Sequence, residues 1–270
     1  MRRSVVAVLA LGAAAAASVA HAADLPAKPG YYPPVSYLPA VYNWSGIYFG
    51  GNVGGGFLND QFQQTTTTLL AANGNQTNVK GWGALGGGQA GFNYQFSSWV
   101  AGAEIAITAT GLNQSVNVST IEPGAALRTT SHPNWLVDAT ARFGYAADTL
   151  LIYAKGGCAW AHATYTEAVL NFTGMNAGVT ASTANQSVSR NGFVVGAGLE
   201  YGMTEELSAR FEWNFYDFGS ATYTFNVTTP APAAVTMPTS VQSRINTFTV
   251  GLNYRFNWAP ATASVVSARY

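Results

Sequence analysis

Residues 43–256 alternate between apolar and polar side chains in one segment after another. In the last segment, for example, Val250, Leu252 and Tyr254 are separated by Gly251 and Asn253. A period of two predicts β-strands, because successive side chains of a strand point to opposite faces. There are eight such segments, each of roughly the 9–11 residues that a tilted strand needs to cross a membrane. The alternation therefore predicts an all-β chain.

The connections between these segments also alternate, between short and long. The short ones are residues 97–98, 146–149 and 202–206, and the long ones are 58–80, 110–133, 165–189 and 219–242. Short turns on one side and long loops on the other are typical of outer-membrane barrels. We therefore expect residues 43–256 to form an eight-stranded antiparallel up-and-down transmembrane β-barrel with short periplasmic turns and long extracellular loops.

Charged residues decide which face of the barrel points inward. A soluble barrel would place its apolar face inside, but an eight-stranded interior is only just wide enough for side chains. The rings of residues such as Phe92, Phe211 and Trp213 would overfill it, so they face lipid. The opposite face carries four acids and four bases: Glu104, Asp138, Arg142, Lys155, Glu200, Arg210, Glu212 and Arg255. Because unpaired charge in a narrow lumen is costly, we expect a salt-bridged polar plug, with an ion or solute path as the alternative.

The overall charge narrows the function classes. Charged residues make up 9% of the chain, against about 25% in a typical soluble domain. Its 12 basic and 12 acidic residues offer no basic excess for binding nucleic acid. The single cysteine, Cys158, excludes an internal disulfide and a cysteine-rich metal site.

The first 42 residues predict export. Residues 1–22 combine two arginines, an apolar run and the small residues Ala20 and Ala22, which is the order of a Sec-type signal peptide cleaved near Ala22-Ala23. The alternative, a membrane anchor, needs about 20 apolar residues, and this run is shorter. Residues 23–42 hold five prolines and several tyrosines and predict an extended periplasmic linker.

Residues that could support catalysis are few. His132, expected in a loop before Pro133, and His162, at the upper end of the fifth strand, show no triad spacing with Ser131 or Asp138. Residues 86–91 match a dinucleotide-binding glycine pattern but precede no helix. The sequence thus predicts no enzyme, cofactor or metal site. The loops lack clustered acids, clustered histidines and a basic stripe for lipopolysaccharide phosphate, so their sequence identifies no surface ligand.

Several motifs in order resemble the outer membrane immunogenic protein family of small eight-stranded barrels. They are Asp24-Leu25-Pro26, residues 42–51, Arg142-Phe143-Gly144-Tyr145, residues 196–201, Glu212 with Tyr216-Asp217-Phe218-Gly219, and residues 249–256. The resemblance implies an integral surface protein, porin-like or antigenic, with structural and host-contact roles. A small channel or ligand-uptake protein is the alternative.

The closing strand also fits the C-terminal signal read by the barrel-assembly machinery. Its polar, glycine and aromatic positions are Thr249, Gly251, Tyr254 and Phe256. Members of the family usually end at that aromatic residue, whereas this chain continues with an extension, residues 257–270. Outer-membrane lipid and the assembly machinery are therefore the expected partners.

Overall fold

The structure is a computed structural model of the chain. It describes residues 42–68, 72, 74–119, 125–171, 179–228 and 234–256. These residues contain nine strands. They are β1 (Gly46–Gln64), β2 (Gln76–Phe96), β3 (Trp99–Thr110), β4 (Gln114–Ser119), β5 (Ala125–Ala147), β6 (Leu150–Asn171), β7 (Val179–Gly202), β8 (Leu207–Thr228) and β9 (Ala234–Phe256). The predicted signal peptide, almost all of the predicted linker and the C-terminal extension lie outside the described residues.

The nine strands close into a barrel of eight positions. Each strand pairs antiparallel with its neighbour in sequence, and β1 closes the ring by pairing with β9. Both β3 and β4 pair with β5, one after the other along its length. They are one strand position, interrupted at residues 111–113. The prediction of an eight-stranded up-and-down barrel is therefore confirmed. No helix within the described residues is long and apolar enough to cross a membrane.

The two faces of the barrel follow the predicted alternation. On β1, Phe49 and Val53 are 55% and 63% exposed, whereas Tyr48 and Asn52, which immediately precede them, are buried. Apolar side chains can remain outside because lipid, rather than water, surrounds the wall. Lys155 lies inside with Leu151 and Tyr153, as predicted.

Aromatic residues mark the two edges of the lipid-facing band. Near the short turns, Trp99 stacks on Phe143 with their ring centroids 5.1 Å apart. At the other edge, Phe57 and Trp82 are 5.4 Å apart. The ten-residue rise from Ile47 to Phe57, at about 3.3 Å per residue and a tilt of about 40°, spans roughly 25 Å, which is the height of the apolar band of such barrels.

The strands continue well beyond this band on the extracellular side. β1 runs to Gln64 and β2 begins at Gln76, so most of residues 58–80 are paired strand. The assignment of residues 58–80, 110–133, 165–189 and 219–242 to loops is therefore wrong in extent, although these connections lie on the predicted side. Their Thr, Ser and Asn content resembles that of loops because water surrounds this part of the wall.

The interior changes character along the barrel axis. At the periplasmic end, Trp44, Val100 and Leu151 pack together. The charged residues fill the next layer. Above them Leu58, Leu136 and Ile245 belong to an apolar cluster. A second apolar cluster, of Phe62, Val79, Leu127, Ala163, Tyr165, Val169, Phe225, Met237 and Val241, fills the extracellular part. Above the membrane the barrel thus has the apolar interior of a soluble protein, because water there drives apolar side chains inward.

Candidate functional site: the barrel interior

Glu104 on β3 lies at the centre of the charged layer. Its Oε2 atom is 2.6 Å from Nη1 of Arg210, and its Oε1 atom is 3.1 Å from Nζ of Lys155. Nη1 of Arg142 approaches the same carboxylate at 3.8 Å. One buried carboxylate is therefore shared by three cations that come from β5, β6 and β8.

The other acids pair with the same three cations. Glu212 lies 2.9 Å from Lys155 and 3.1 Å from Arg210, and Asp138 lies 3.7 Å from Lys155. Glu200 pairs with Arg142 at 3.3 Å and also accepts a hydrogen bond from Ser208. The structure thus brings seven of the eight predicted lumen charges into one connected cluster. Arg255 is the exception.

Two tyrosines repeat the same arrangement on opposite sides of the cluster. Tyr48, opposite Gly91 in the neighbouring strand, donates a hydrogen bond to Glu104 at 2.7 Å. Tyr153, opposite Gly198, donates to Glu212 at the same distance. In each case the tyrosine ring occupies the space that a Cβ atom would need if the glycine were replaced by another residue.

The guanidinium of Arg142 lies between these two rings. Its Cζ atom is 4.6 Å from the centroid of Tyr48 and 5.0 Å from that of Tyr153. Contact with two aromatic faces is favourable for a cation that has lost its water. The sequence predicts no role for either tyrosine, although the alternation places both on the inner face.

Amide side chains form the remainder of this layer. Asn93 accepts a hydrogen bond from Arg142, while Asn214 donates one to Glu212. Gln89 links Asn52 to Asn253, with distances of 2.6 and 2.7 Å. The alternation places these amides on the inner face, but the sequence predicts no role for them, because uncharged polar side chains look alike whether they face a lumen or solvent.

Little space remains inside the layer. The cavity bounded by Asp138, Lys155, Arg210 and Glu212, among others, has a volume of about 10 Å³. That is close to the smallest cavity that holds one water molecule. The charged layer therefore fills the cross-section of the barrel.

The periplasmic end is covered by the residues that precede β1. Trp44 is fully buried, and its indole nitrogen donates to the carbonyl of Asp148 at 3.0 Å. The phenol of Tyr42 donates to the carbonyl of Thr204, also at 3.0 Å. Arg255 lies against both rings, with its Cζ atom 4.7 Å from the centroid of Tyr42 and 5.1 Å from that of Trp44. This explains why it stands apart from the other seven charges.

The extracellular end holds two buried acids that sequence analysis assigned to loops. Asp60 accepts a hydrogen bond of 2.5 Å from Ser131, and burial raises its pKa to about 6 against the opposing effects of Ser131, Ser243 and Arg190. Glu167 accepts hydrogen bonds from Thr129 at 2.9 and 3.1 Å. Burial raises the pKa of Glu167 to about 8. Both carboxyl groups lie above the lipid-facing band.

Comparison with known proteins identifies the family. The model of the outer membrane protein beta-barrel domain matches residues 4–256. The chain belongs to this family. It is therefore an integral β-barrel protein of the cell outer membrane, as the sequence predicted.

One sequence relative and one solved structure show what this outer-membrane barrel is similar to. The 31 kDa outer-membrane immunogenic protein of Brucella melitensis is 27% identical over 227 residues, covering 80% of this chain and 85% of that protein. The crystal structure of the outer membrane protein OprG from Pseudomonas aeruginosa aligns with a TM-score of 0.49 and 12% identity, covering 80% of this chain and 99% of OprG.

The remaining predicted positions in this outer-membrane barrel are as follows. His132 lies within β5 rather than in a loop, because the strand extends to Ala125. Cys158 is exposed on the lipid-facing side. Within the residues that the structure describes, no three His, Cys, Asp or Glu side chains form a metal-binding group.

The four residues of the predicted assembly signal lie on both faces of β9. Thr249 is buried, Gly251 lies on the inner face, and Tyr254 and Phe256 are exposed on the outside.

Proposed function

We propose that this protein is a closed, non-conducting outer-membrane barrel whose role is structural and is exerted at the cell surface. The observation that carries the proposal is the charged layer centred on Glu104, which leaves a cavity of about 10 Å³ in the lumen. A hydrated ion or a sugar needs a far wider path. The alternative, a small porin-like channel, would require these ion pairs to separate inside the membrane, where unpaired charge is costly.

Two further layers support a closed lumen. Trp44 and Tyr42 cover the periplasmic mouth, and Phe62, Tyr165 and Phe225 fill the extracellular part. A solute would have to displace an aromatic layer at each end as well as the charges between them. The lumen is thus blocked at three successive levels, and this favours a structural role over transport.

The extended strands support a role at the surface. Above the band, outward side chains hydrogen bond from strand to strand, as in Thr166 with Asn185 at 2.7 Å and Ser115 with Thr130 at 2.8 Å. With the apolar interior, these pairs make the upper part of the wall a folded projection above the lipid-facing band. We propose that this projection carries the surface role, in keeping with the name of the Brucella relative, an outer-membrane immunogenic protein.

A non-enzymatic role fits the same geometry. The hydroxyl of Ser131 donates a hydrogen bond directly to Asp60, and that pair includes no histidine to act as a base. His162 lies on the outer wall, stacked on Trp135 at 5.8 Å. We also propose that the barrel-assembly machinery recognises Thr249, Gly251, Tyr254 and Phe256 during insertion.

Liposome swelling tests the closed lumen. The full chain is reconstituted into vesicles and diluted into isotonic arabinose or glycine, with a general porin as the positive control. We expect the swelling rate of protein-free vesicles. Swelling that rises in proportion to the amount of folded barrel would overturn the proposal.

A further inference from the structure

The outer wall carries a polar concavity directly above the extracellular aromatic edge. It has a volume of about 300 Å³ and is formed by β1, β2 and β9. Its lining consists of two cations and four amides: Lys80, Arg244, Asn59, Gln61, Asn78 and Gln242. The sequence shows no basic stripe here, because Lys80 and Arg244 are far apart in the chain.

The register of the strands arranges these side chains in rows. Asn59 is opposite Lys80 on one side and opposite Arg244 on the other, which gives a row of cation, amide and cation. Gln61 is likewise flanked by Asn78 and Gln242. Because alternate residues of a strand share a face, both rows point outward from the barrel.

The position of the rows relates them to the membrane surface. Two residues before Asn59, Phe57 faces outward opposite Trp82, at the edge of the lipid-facing band. A step of two residues along a tilted strand is roughly 5 Å along the membrane normal. The cationic row therefore lies at the depth of lipid headgroups, and the amide row lies just above it.

The cationic row remains available to an anion. Arg244 is held by Asp217, whose Oδ2 atom lies 2.9 Å from Nε, yet 44% of the Arg244 side chain is exposed. Asp217 is 15% exposed, and its other oxygen accepts a hydrogen bond from the backbone of Gly219. Asp217 is opposite Arg244 on the neighbouring strand β8, and it therefore orients the guanidinium from the side away from Asn59. Lys80 is exposed.

We infer that this concavity binds the phosphorylated sugar headgroup of an outer-leaflet glycolipid. Guanidinium and ammonium groups form charge-assisted hydrogen bonds with phosphate. The amides of Asn59, Gln61 and Asn78 supply both donors and acceptors, which suit sugar hydroxyls. The acyl chains would lie along the apolar wall below Phe57 and Trp82. A soluble sugar phosphate has the same polar chemistry but lacks this apolar contact.

The inference is tested by titrating the full-length barrel in detergent micelles with rough lipopolysaccharide and counting bound lipid by native mass spectrometry. We expect the double variant Lys80→Gln/Arg244→Gln to bind about tenfold more weakly than the wild type. Arg128→Gln is the matched control, because Arg128 is exposed near the extracellular end of β5, away from the aromatic edge. It should bind as the wild type does.

A gain-of-binding variant separates recognition from misfolding. Asn59→Lys places a third cation between Lys80 and Arg244 and should tighten binding several-fold, more so at low salt. Glucose 1-phosphate, titrated alone, should bind at least tenfold more weakly than the lipid. Equal lipid binding by wild type, double variant and Asn59→Lys would overturn the inference, and so would equal affinity for free glucose 1-phosphate. Neither result depends on whether the lumen conducts.

Discussion

Glu104 and Arg210 meet across the barrel interior, with Oε2 of the acid 2.6 Å from Nη1 of the base. They come from β3 and β8 and are 106 residues apart in the chain. Lys155 and Arg142 converge on the same carboxylate from two other strands. Glu104 therefore ties four parts of the barrel wall together.

Removing the charge of Glu104 should destabilise the barrel strongly. Glu104→Gln keeps the shape of the side chain but removes the carboxylate charge that the buried cations Arg210, Lys155 and Arg142 share. We expect the free energy of unfolding to fall by about 3–5 kcal/mol, measured by urea unfolding from phospholipid vesicles. Glu206→Gln, in an exposed periplasmic turn, is the control and should change it by less than about 0.5 kcal/mol. Equal effects of the two substitutions would contradict the proposed pairing.

Two adjacent glycines on β6 should differ in their tolerance of a methyl group. A Cβ atom at Gly157 would overlap the carbonyl oxygen of Ala139 and lie 2.8 Å from the Cα atom of Thr140, both of them backbone. At Gly156 the nearest atom would be 3.7 Å away. Gly157→Ala should therefore destabilise the barrel by about 1–3 kcal/mol, and Gly156→Ala by less than about 0.5 kcal/mol. Similar urea midpoints for the two variants would show that the strands are not this close.

The buried acid Glu167 should make the extracellular projection sensitive to pH. The pKa of Glu167 is about 8 in the folded barrel, against an ordinary value of 4.5 for an exposed glutamate. Between these two pH values the folded state therefore binds more protons than the unfolded state. The stabilisation is fully present below about pH 4.5 and is lost as pH rises through about 8. Glu167→Gln removes the cost of ionisation. At pH 9 it should raise the hydrogen-exchange protection of upper β5 and β6 above that of the wild type by about tenfold or more.

Hydrogen-exchange protection measured at pH 5 is the control for this prediction. At pH 5 the Glu167 carboxyl is protonated in the wild type, and the variant and wild type should show similar protection. A difference that is the same at pH 5 and pH 9 would mean that ionisation of Glu167 is not its cause.

The aromatic cover at the periplasmic mouth should matter for stability but not for permeability. Trp44→Ala removes a fully buried side chain and should lower the free energy of unfolding by about 3–5 kcal/mol. The charged layer around Glu104 stays in place above it. Vesicles that contain folded Trp44→Ala should therefore swell no faster than those with the wild type. Normal stability of this variant in urea would contradict the packing of Trp44.

The sequence predicted the barrel and its inner face because alternation is a local property. Glu104, Asp138 and Arg210 each stand out as single charges among apolar neighbours, and each lies inside. The strand extensions were missed because Thr- and Ser-rich segments resemble loops, while inward residues such as Phe62 and Val169 are too widely spaced to dominate them.

The contacts that the sequence does not predict depend on the register between neighbouring strands. Whether Lys80 and Arg244 become neighbours depends on how β1 pairs with β2 and β9, which no local pattern encodes. The same holds for Tyr153, whose ring covers Gly198 only because these two residues are opposite each other. The first contact requires closure of the ring by β1 and β9, which come from opposite ends of the barrel sequence, and the second requires the register of the consecutive strands β6 and β7.

Single-channel recording in planar bilayers tests the central proposal most directly. Folded, full-length protein is inserted under conditions in which a general porin gives stable steps. Because the ion pairs of Glu104, Lys155 and Arg210 fill the lumen, we expect a current that stays at the baseline of the bare bilayer. A stable, reproducible conductance from the purified wild-type barrel would contradict the closed lumen.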